Sequence, residues 1–460
     1  MTDKKSRSQQ GENLLEWWQL SLIGVGCIIG TGYFLGSGLG IRITGPSMLL
    51  AFILAAIATY IVFDALSKMY ANDPQKGSFR SYAKKAFGRW AGFSSGWVYW
   101  FSEMLIMGSQ LTALSIFSKF WFPNIPLWVF ATIFAVLGII VVLTGVKGFE
   151  RMENLFAVVK IAAILMFIIL AGAGLLGFLD NGKEVFNVPS QAHDFFPSGL
   201  KGLWSGLIFA FYAFGGIEIM GIMSVRLKNK EDAGKSGKIM ILVLTTIYII
   251  SIGFAVSMVS WQSFNSEESP FVIAMKSYNL AFFPHLFNGA LIIAGFSTMS
   301  ASLFAVTSML VTLAEDGDAP KRFAKKGKLK TPMYALALTV CGLIVSIVMA
   351  LVMPNKIYEY ITTAAGLMLL YNWLFVLVSV KRLIKITWFG HVKRIIAILL
   401  ILLAVSGTLF HESVRPGFFV SICFIVLVGV VSVIIHFLSK KGKKPNPSSL
   451  FEKFELLEEK

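Results

Sequence analysis

Charge is scarce in this chain. Only 14% of its 460 residues are Asp, Glu, Lys or Arg, where a soluble domain carries about 25%. That excludes a water-soluble globular protein and a disordered one, since both depend on solvated side chains. Cysteine is scarce as well. Cys27, Cys341 and Cys423 each sit in an apolar run, with no CxxC and no paired spacing. They exclude a disulfide scaffold and read as packed thiols. The five histidines are scattered, so neither a metal site nor a cofactor is expected. No P-loop occurs, which argues against an ATP-driven machine.

What the chain has instead is apolar surface. Hydrophobic residues make up 56%, with 40 Phe and 11 Trp, and the mean hydropathy is +0.72. Apolar runs predict an all-α membrane protein with twelve spans. They lie near residues 18–40, 46–67, 91–118, 126–145, 153–177, 199–223, 239–260, 285–314, 333–353, 358–380, 395–411 and 417–438. The first run has no small-residue cleavage site after it, so no cleavable signal is expected.

The net charge of +16 would suggest nucleic acid in a soluble protein. Here its distribution gives another reading. With the N-terminus inside, the inner segments hold 33 Lys and Arg and the outer ones 7. That asymmetry is the positive-inside pattern and places both termini in the cytoplasm. Loop 178–198, with Asp180, Glu184 and Asp194, fits the outside. The basic run Lys440-Lys441-Gly442-Lys443-Lys444 suits anionic lipid headgroups. Membrane lipid is thus the expected surroundings, with no nucleic acid partner.

Two spans contain helix-disfavouring glycines. The first holds seven between Gly24 and Gly40. Close packing through Gly26–Gly30 and Gly32–Gly36 would explain them. A helix broken near Ile29 to Gly32 would too, and bare backbone at that depth is tolerated only where it lines a cavity. The sixth span has Gly215-Gly216 at its middle and Glu218 just beyond. Spans one and six each open a set of five, and interrupted helices at matching positions point to an inverted-repeat transporter. Half-helix N-termini suit a carboxylate, and half-helix C-termini suit an ammonium. A ligand with both groups is a zwitterion such as an amino acid.

At these residues the sequence resembles the amino acid–polyamine–organocation superfamily, in particular its bacterial amino acid permeases. The resemblance rests on Ile28 to Gly38, on Gly77 to Gly88 with Gly96-Trp97-Val98-Tyr99-Trp100, and on Leu313 to Pro320, and covers roughly residues 14 to 440. It implies a LeuT-like fold of two inverted five-helix repeats plus two extra helices. Residues 1–17 would be a cytoplasmic segment and 18–380 the ten-helix core, split into 18–177 and 199–380. Residues 395–438 would be the added helices and 439–460 a cytoplasmic tail. By position, Gly30, Thr31 and Gly32 would hold the substrate carboxylate. Carbonyls of Ile29, Tyr212, Ala213 and Gly215 would hold its ammonium, and Phe214 would be a gate or pocket wall.

Lys160 is the one cation inside a predicted span. Its side chain lies roughly 11 Å from the inner end, and a lysine partly snorkels over that distance. The resemblance implies a different role, in which the ammonium stands where related transporters bind sodium, bracing span one against span eight and coupling transport to a proton. Glu218 is a second proton-coupling candidate, since intramembrane carboxylates are usually functional. Glu103 has no sharp role. Gln110, Arg226 and Ser308 depart from the residues that many relatives carry there, which bears on the proton pathway and inner gate. Gly92-Phe93-Ser94-Ser95-Gly96 matches a GxSxG nucleophile elbow, but no strand is expected before it, so no catalytic residue is expected. The resulting expectation is a plasma-membrane importer of an amino acid, by proton symport and alternating access. No acid is clearly placed to select a basic substrate, which favours a neutral, apolar side chain. An exchanger of the same fold, a nutrient sensor and a channel are the alternatives.

Overall fold

The computed structural model describes residues 14–179, 189, 191–278, 280–325, 327, 332–352 and 357–440. Residues 1–13, Asp180, Glu184 and the tail from Lys441 onward lie outside the described residues.

The chain is a helical bundle. The first span is α1 (Trp17–Ile28), α2 (Thr31–Phe34) and α3 (Gly36–Thr44), and the second is α4 (Met48–Asn72). A short α5 (Ser78–Phe87) leads to α6 (Arg89–Lys119), α7 (Leu127–Leu143) and α8 (Gly145–Leu175). After α9 (Ala192–Phe195), the sixth span is α10 (Gly199–Tyr212) and α11 (Ile217–Met223). Next come α12 (Asp232–Met258), a short α13 (Pro270–Met275), α14 (Phe282–Glu315) and α15 (Met333–Val352). The last three are α16 (Ile357–Leu383), α17 (Trp388–Gly407) and α18 (Arg415–Lys440). A helix thus stands at each expected span.

Several helices outrun their apolar segments. α8 begins at Gly145, α12 at Asp232 and α17 at Trp388, each about a turn or two earlier than hydropathy suggests. Helix formation does not stop where the apolar stretch does: charged first turns continue it into the headgroup region, and Asp232 suits a helix N-terminus. Among the described residues, eight helical stretches are long and apolar enough to cross a membrane by length and composition. Trp17–Ile28, Leu127–Leu143 and Met333–Val348 are shorter apolar helices. α6 has 31 residues but many polar ones. They face inward: Ser95, Ser102, Glu103, Ser109 and Gln110 are all buried. A span so enclosed has little need of an apolar surface.

The helix pairs in contact have an internal symmetry. Exchanging each of spans one to five with the span five later turns one pair into another. Span one packs on five, and six on ten. One packs on seven, and six on two; three packs on ten, and eight on five. Spans three and eight pack on each other, as do two and seven. Even the short helices correspond, α5 following span two and α13 following span seven. Five is odd, so the second set runs opposite to the first, as inverted repeats require. α17 and α18 sit at the periphery, each with only 17% of its apolar window buried against 89% for the sixth span.

At the end of the bundle nearest Trp17, two distant motifs meet. Arg80 on α5 is fully buried and pairs with Asp316 at 2.5 Å and with Asp318. Arg89 reaches Asp318 at 2.8 Å and the Gly317 carbonyl at 2.7 Å. Lys84 adds a contact to Asp316 at 3.0 Å. The GxSxG glycines serve this clamp: a Cβ on Gly96 would meet Arg80 Cδ at 2.9 Å, and one on Gly92 would meet Lys84 Cβ at 2.6 Å. Ser94 lies within α6 with no strand before it, which removes the nucleophile-elbow context.

Partial burial pushes the Asp316 carboxyl up, but Arg80 and Lys84 together pull it below its ordinary 3.8. A depressed carboxylate adds stability that is present above its unfolded value and lost as the pH falls through the folded one. The Asp316 contribution is therefore fully present across the neutral range and is lost only in acid, as the pH falls below the ordinary carboxylate value. Arg80→Ala leaves the buried Asp318 with Arg89 as its cation, and losing the charge-assisted bond costs about 1.5–3 kcal/mol. The expected result is a lower unfolding temperature for the purified protein by differential scanning fluorimetry at pH 7. An unchanged value would show that the clamp does not hold the fold.

Candidate functional site

Both glycine-rich spans are broken, and each break has a local cause. α1 ends at Ile28, and Ile29 and Gly30 are extended before α2 restarts at Thr31. Gly30 is needed for close approach, since a Cβ there would sit 2.6 Å from Thr298 Cγ2. In the sixth span α10 stops at Tyr212, and Gly216 adopts φ +116°, ψ −7° before α11. That left-handed backbone favours glycine. The two breaks face each other: a Cβ on Gly32 would lie 2.7 Å from Tyr212 Cδ1, and one on Gly216 would lie 3.3 Å from the Cys27 carbonyl.

Side chains from neighbouring spans complete the broken backbone. Gln110 on α6 accepts from the Thr31 N–H at 3.3 Å. Tyr358, near the start of α16, donates to the Thr31 carbonyl at 2.9 Å. Tyr248 on α12 donates to the Ala213 carbonyl at 3.1 Å. The Glu218 carboxylate accepts from Gly216 N–H at 3.1 Å and from the Trp373 indole. Tyr212 and Ser109 hydroxyls lie 2.6 Å apart.

Between the breaks is a cavity of about 20 Å³, room for about one water. Backbone of Gly30, Gly32, Gly215 and Gly216 lines it, with Tyr212. Its polar side chains are Glu103, Gln110, Thr298 and Ser302. A space of this size does not hold an amino acid. Of the residues expected to bind substrate, Gly30, Gly32, Tyr212 and Gly215 line this cavity. Ile29, Thr31 and Ala213 flank it within the broken segments. Phe214 packs with its ring 6.2 Å from Phe52 and 5.3 Å from Tyr248, among the core helices.

Lys160 is fully buried on α8. Its ammonium donates to the Gly26 carbonyl in α1 and to Ser297 Oγ in α14 at 2.7 Å. The Ser297 hydroxyl in turn donates to the Glu153 carboxylate at 2.8 Å. One ammonium thus ties spans one, five and eight together. Glu153 is also fully buried, and sequence reasoning assigned it no role because it stood at the expected start of the fifth span. The available signal was its spacing: Glu153 and Lys160 are seven apart, two turns on one helix face. Gly26 allows the approach, since a Cβ there would lie 3.1 Å from Glu153 Oε2.

At the opposite end of the bundle from the Arg80 clamp, aromatic rings close over the first break. Tyr33 stacks on Tyr248 at 4.1 Å between centroids, and Phe271 lies 5.0 Å from Tyr33 and 4.8 Å from Phe167. Outside them is a cavity of about 420 Å³, lined partly by Tyr358 and Asn288.

Comparison with known sequences shows the family of the chain. A profile described as Amino acid permease matches residues 19–448. The chain belongs to the amino acid permease family. It is 55% identical over 445 residues to the uncharacterized transporter YcgH of Bacillus subtilis, covering 97% of this chain and 99% of that one. It is 30% identical over 447 residues to the aromatic amino acid transport protein AroP of Escherichia coli O6:H1, covering 94% and 97%. It is 29% identical over 383 residues to the gamma-aminobutyric acid permease of B. subtilis, covering 83% and 82%. The chain is therefore a multi-span membrane protein of a permease family.

Gly32→Ala tests the close approach of the two breaks. Overpacking costs about 1–3 kcal/mol of stability, so the unfolding temperature of the purified protein should fall. Gly429→Ala, where nothing lies within 4 Å, is the matched control and should leave it unchanged.

Proposed function

We propose that the chain imports an amino acid across a bacterial plasma membrane by alternating access, driven by proton symport. The observation that supports this most is the pair of breaks at Gly30 and Gly216 around one central cavity, with a buried ammonium bracing the first broken span. In this proposal Gly30, Thr31 and Gly32 hold the substrate carboxylate, because the start of α2 presents backbone N–H groups. Carbonyls of Ile29, Tyr212, Ala213 and Gly215 receive its ammonium, and Phe214 moves toward the substrate when the site opens. Both termini are cytoplasmic, consistent with the lysine and arginine asymmetry of the loops. Residues 18–177 and 199–380 act as the two repeats, with 395–438 as the added helices. The substrate is moved and not chemically altered.

Lys160 carries the proton coupling in this proposal. Its bonds to Gly26 and Ser297 depend on ammonium donors, so loss of a proton weakens the tie between spans one and eight. Ser297 and Glu153 offer a relay for that proton. Glu218 is a second coupling site, since a proton on its carboxylate competes with the donors that now fix the sixth-span break. The expected neutrality of the substrate side chain rested on the lack of an acid facing it, and Glu103, which lines the cavity, removes that ground.

Lys160→Ala should abolish uphill accumulation in proteoliposomes under an imposed proton gradient. Counterflow exchange should persist in a protein that still folds, at a lower unfolding temperature because the buried Glu153 loses its cation. Accumulation at the wild-type level would rule out the coupling role of this lysine. Wild-type counterflow without any dependence on a proton gradient would favour the exchanger.

A further inference from the structure

Six charged side chains are buried among the described residues: Arg80, Glu103, Glu153, Lys160, Glu218 and Asp318. Five have partners. Arg80 pairs with Asp318, Lys160 and Glu153 meet at Ser297, and Glu218 accepts from Trp373 and Gly216. Glu103 is the exception. It is 1% exposed, and neither carboxylate oxygen has a hydrogen-bond partner. The Ser302 and Tyr99 hydroxyls lie close enough to interact with it, but the Tyr99 hydroxyl makes no well-formed hydrogen bond, and neither neighbour is a cation. Leaving a carboxylate unpaired in a membrane interior is costly. A group of this kind that lines a cavity is complementary to a cation brought in from outside.

The spacing identifies which part of a ligand would meet it. Gln110 and Glu103 both line the central cavity, and Gln110 contacts the Thr31 N–H at the first break. The two residues are seven apart on α6, two turns or about 10.5 Å along one face. An amino acid whose carboxylate sits at the α2 N-terminus places its side chain along that face. A four-methylene chain and one hydrogen bond reach Glu103.

We infer that Glu103 is a specificity-determining residue that binds a distal ammonium, so that the substrate is an amino acid with a cationic side chain. The inference rests on the proposed amino acid site between the two breaks. It differs from the names of the permeases for aromatic amino acids and gamma-aminobutyric acid, whose identities to this chain are near 30%.

The test is a thermal-shift titration of the purified full chain with L-lysine and with L-norleucine, which is lysine without its ammonium group. Stabilisation follows ligand concentration over Kd. The wild type should bind lysine at least about tenfold more tightly, as expected for a hydrogen bond to a charged group. Glu103→Gln, matched in shape, should lose that preference. Equal or tighter binding of norleucine by the wild type overturns the inference and needs no variant, so a Glu103→Gln protein that fails to fold does not block the test. A preference for lysine that survives in Glu103→Gln overturns it too. Binding of phenylalanine or gamma-aminobutyric acid with no response to lysine overturns this inference and leaves the transport reading standing. Silence across all twenty L-amino acids overturns both.

Discussion

Backbone polarity in a water-free medium is the constraint on which this molecule depends. Each unpaired N–H or C=O in hydrocarbon costs several kcal/mol, yet two spans here are broken at mid-length. The surrounding architecture answers that cost. Gln110 takes the Thr31 N–H, Tyr358 and Tyr248 reach the carbonyls of Thr31 and Ala213, and Glu218 takes the N–H of Gly216. Lys160 engages the carbonyl of Gly26 just before the first break. Every one of these residues lies on a helix packed against the breaks or on the broken helix itself. The bundle is therefore a scaffold for irregular backbone, with a small polar cavity left at its centre.

Much of this was legible in the sequence because the signals are local. Apolar runs mark spans whatever their neighbours, and the crowding of Gly24 to Gly40 and the Gly215-Gly216 pair mark where helix is weakest. Lys160 stood out as a single cation in an apolar run, and its ammonium contacts Gly26 in span one and Ser297 in span eight. What was not legible depends on facing and on distance. Glu103 reads as one acid in a span until the neighbours show that it lines the cavity unpaired. Glu153 was hidden by a boundary, since helix α8 starts eight residues before the apolar segment was expected to begin. No spacing rule connects Arg80 to Asp316, 236 residues away. Phe214 was assigned by position to the pocket, but its ring packs with Phe52 and Tyr248.

The two ends of the bundle are closed by different physics. At the end near Trp17 the closure is ionic and directional, with Arg80 and Arg89 forked onto Asp316, Gly317 and Asp318. At the other end Tyr33, Tyr248, Phe271 and Phe167 close by ring packing. Charge-assisted hydrogen bonds demand fixed geometry, while tilted and stacked rings tolerate sliding over a range of separations. To separate, the ionic contacts would have to exchange discrete partners, whereas the rings would only have to repack.

A short piece of main-chain pairing links the two broken spans outside the bundle core. Leu15 N–H donates to the Arg226 carbonyl at 2.8 Å, and Lys228 N–H donates to the Leu15 carbonyl at 3.0 Å. Glu16 and Lys228 pair at 3.1 Å, and Lys235 sits 4.1 Å over the Trp17 ring. These contacts join the segment leading into α1 to the segment leaving α11. The near halves of both interrupted helices are thereby coupled like two blades on one rivet. A movement of either half away from the centre would have to draw the other with it or break these contacts.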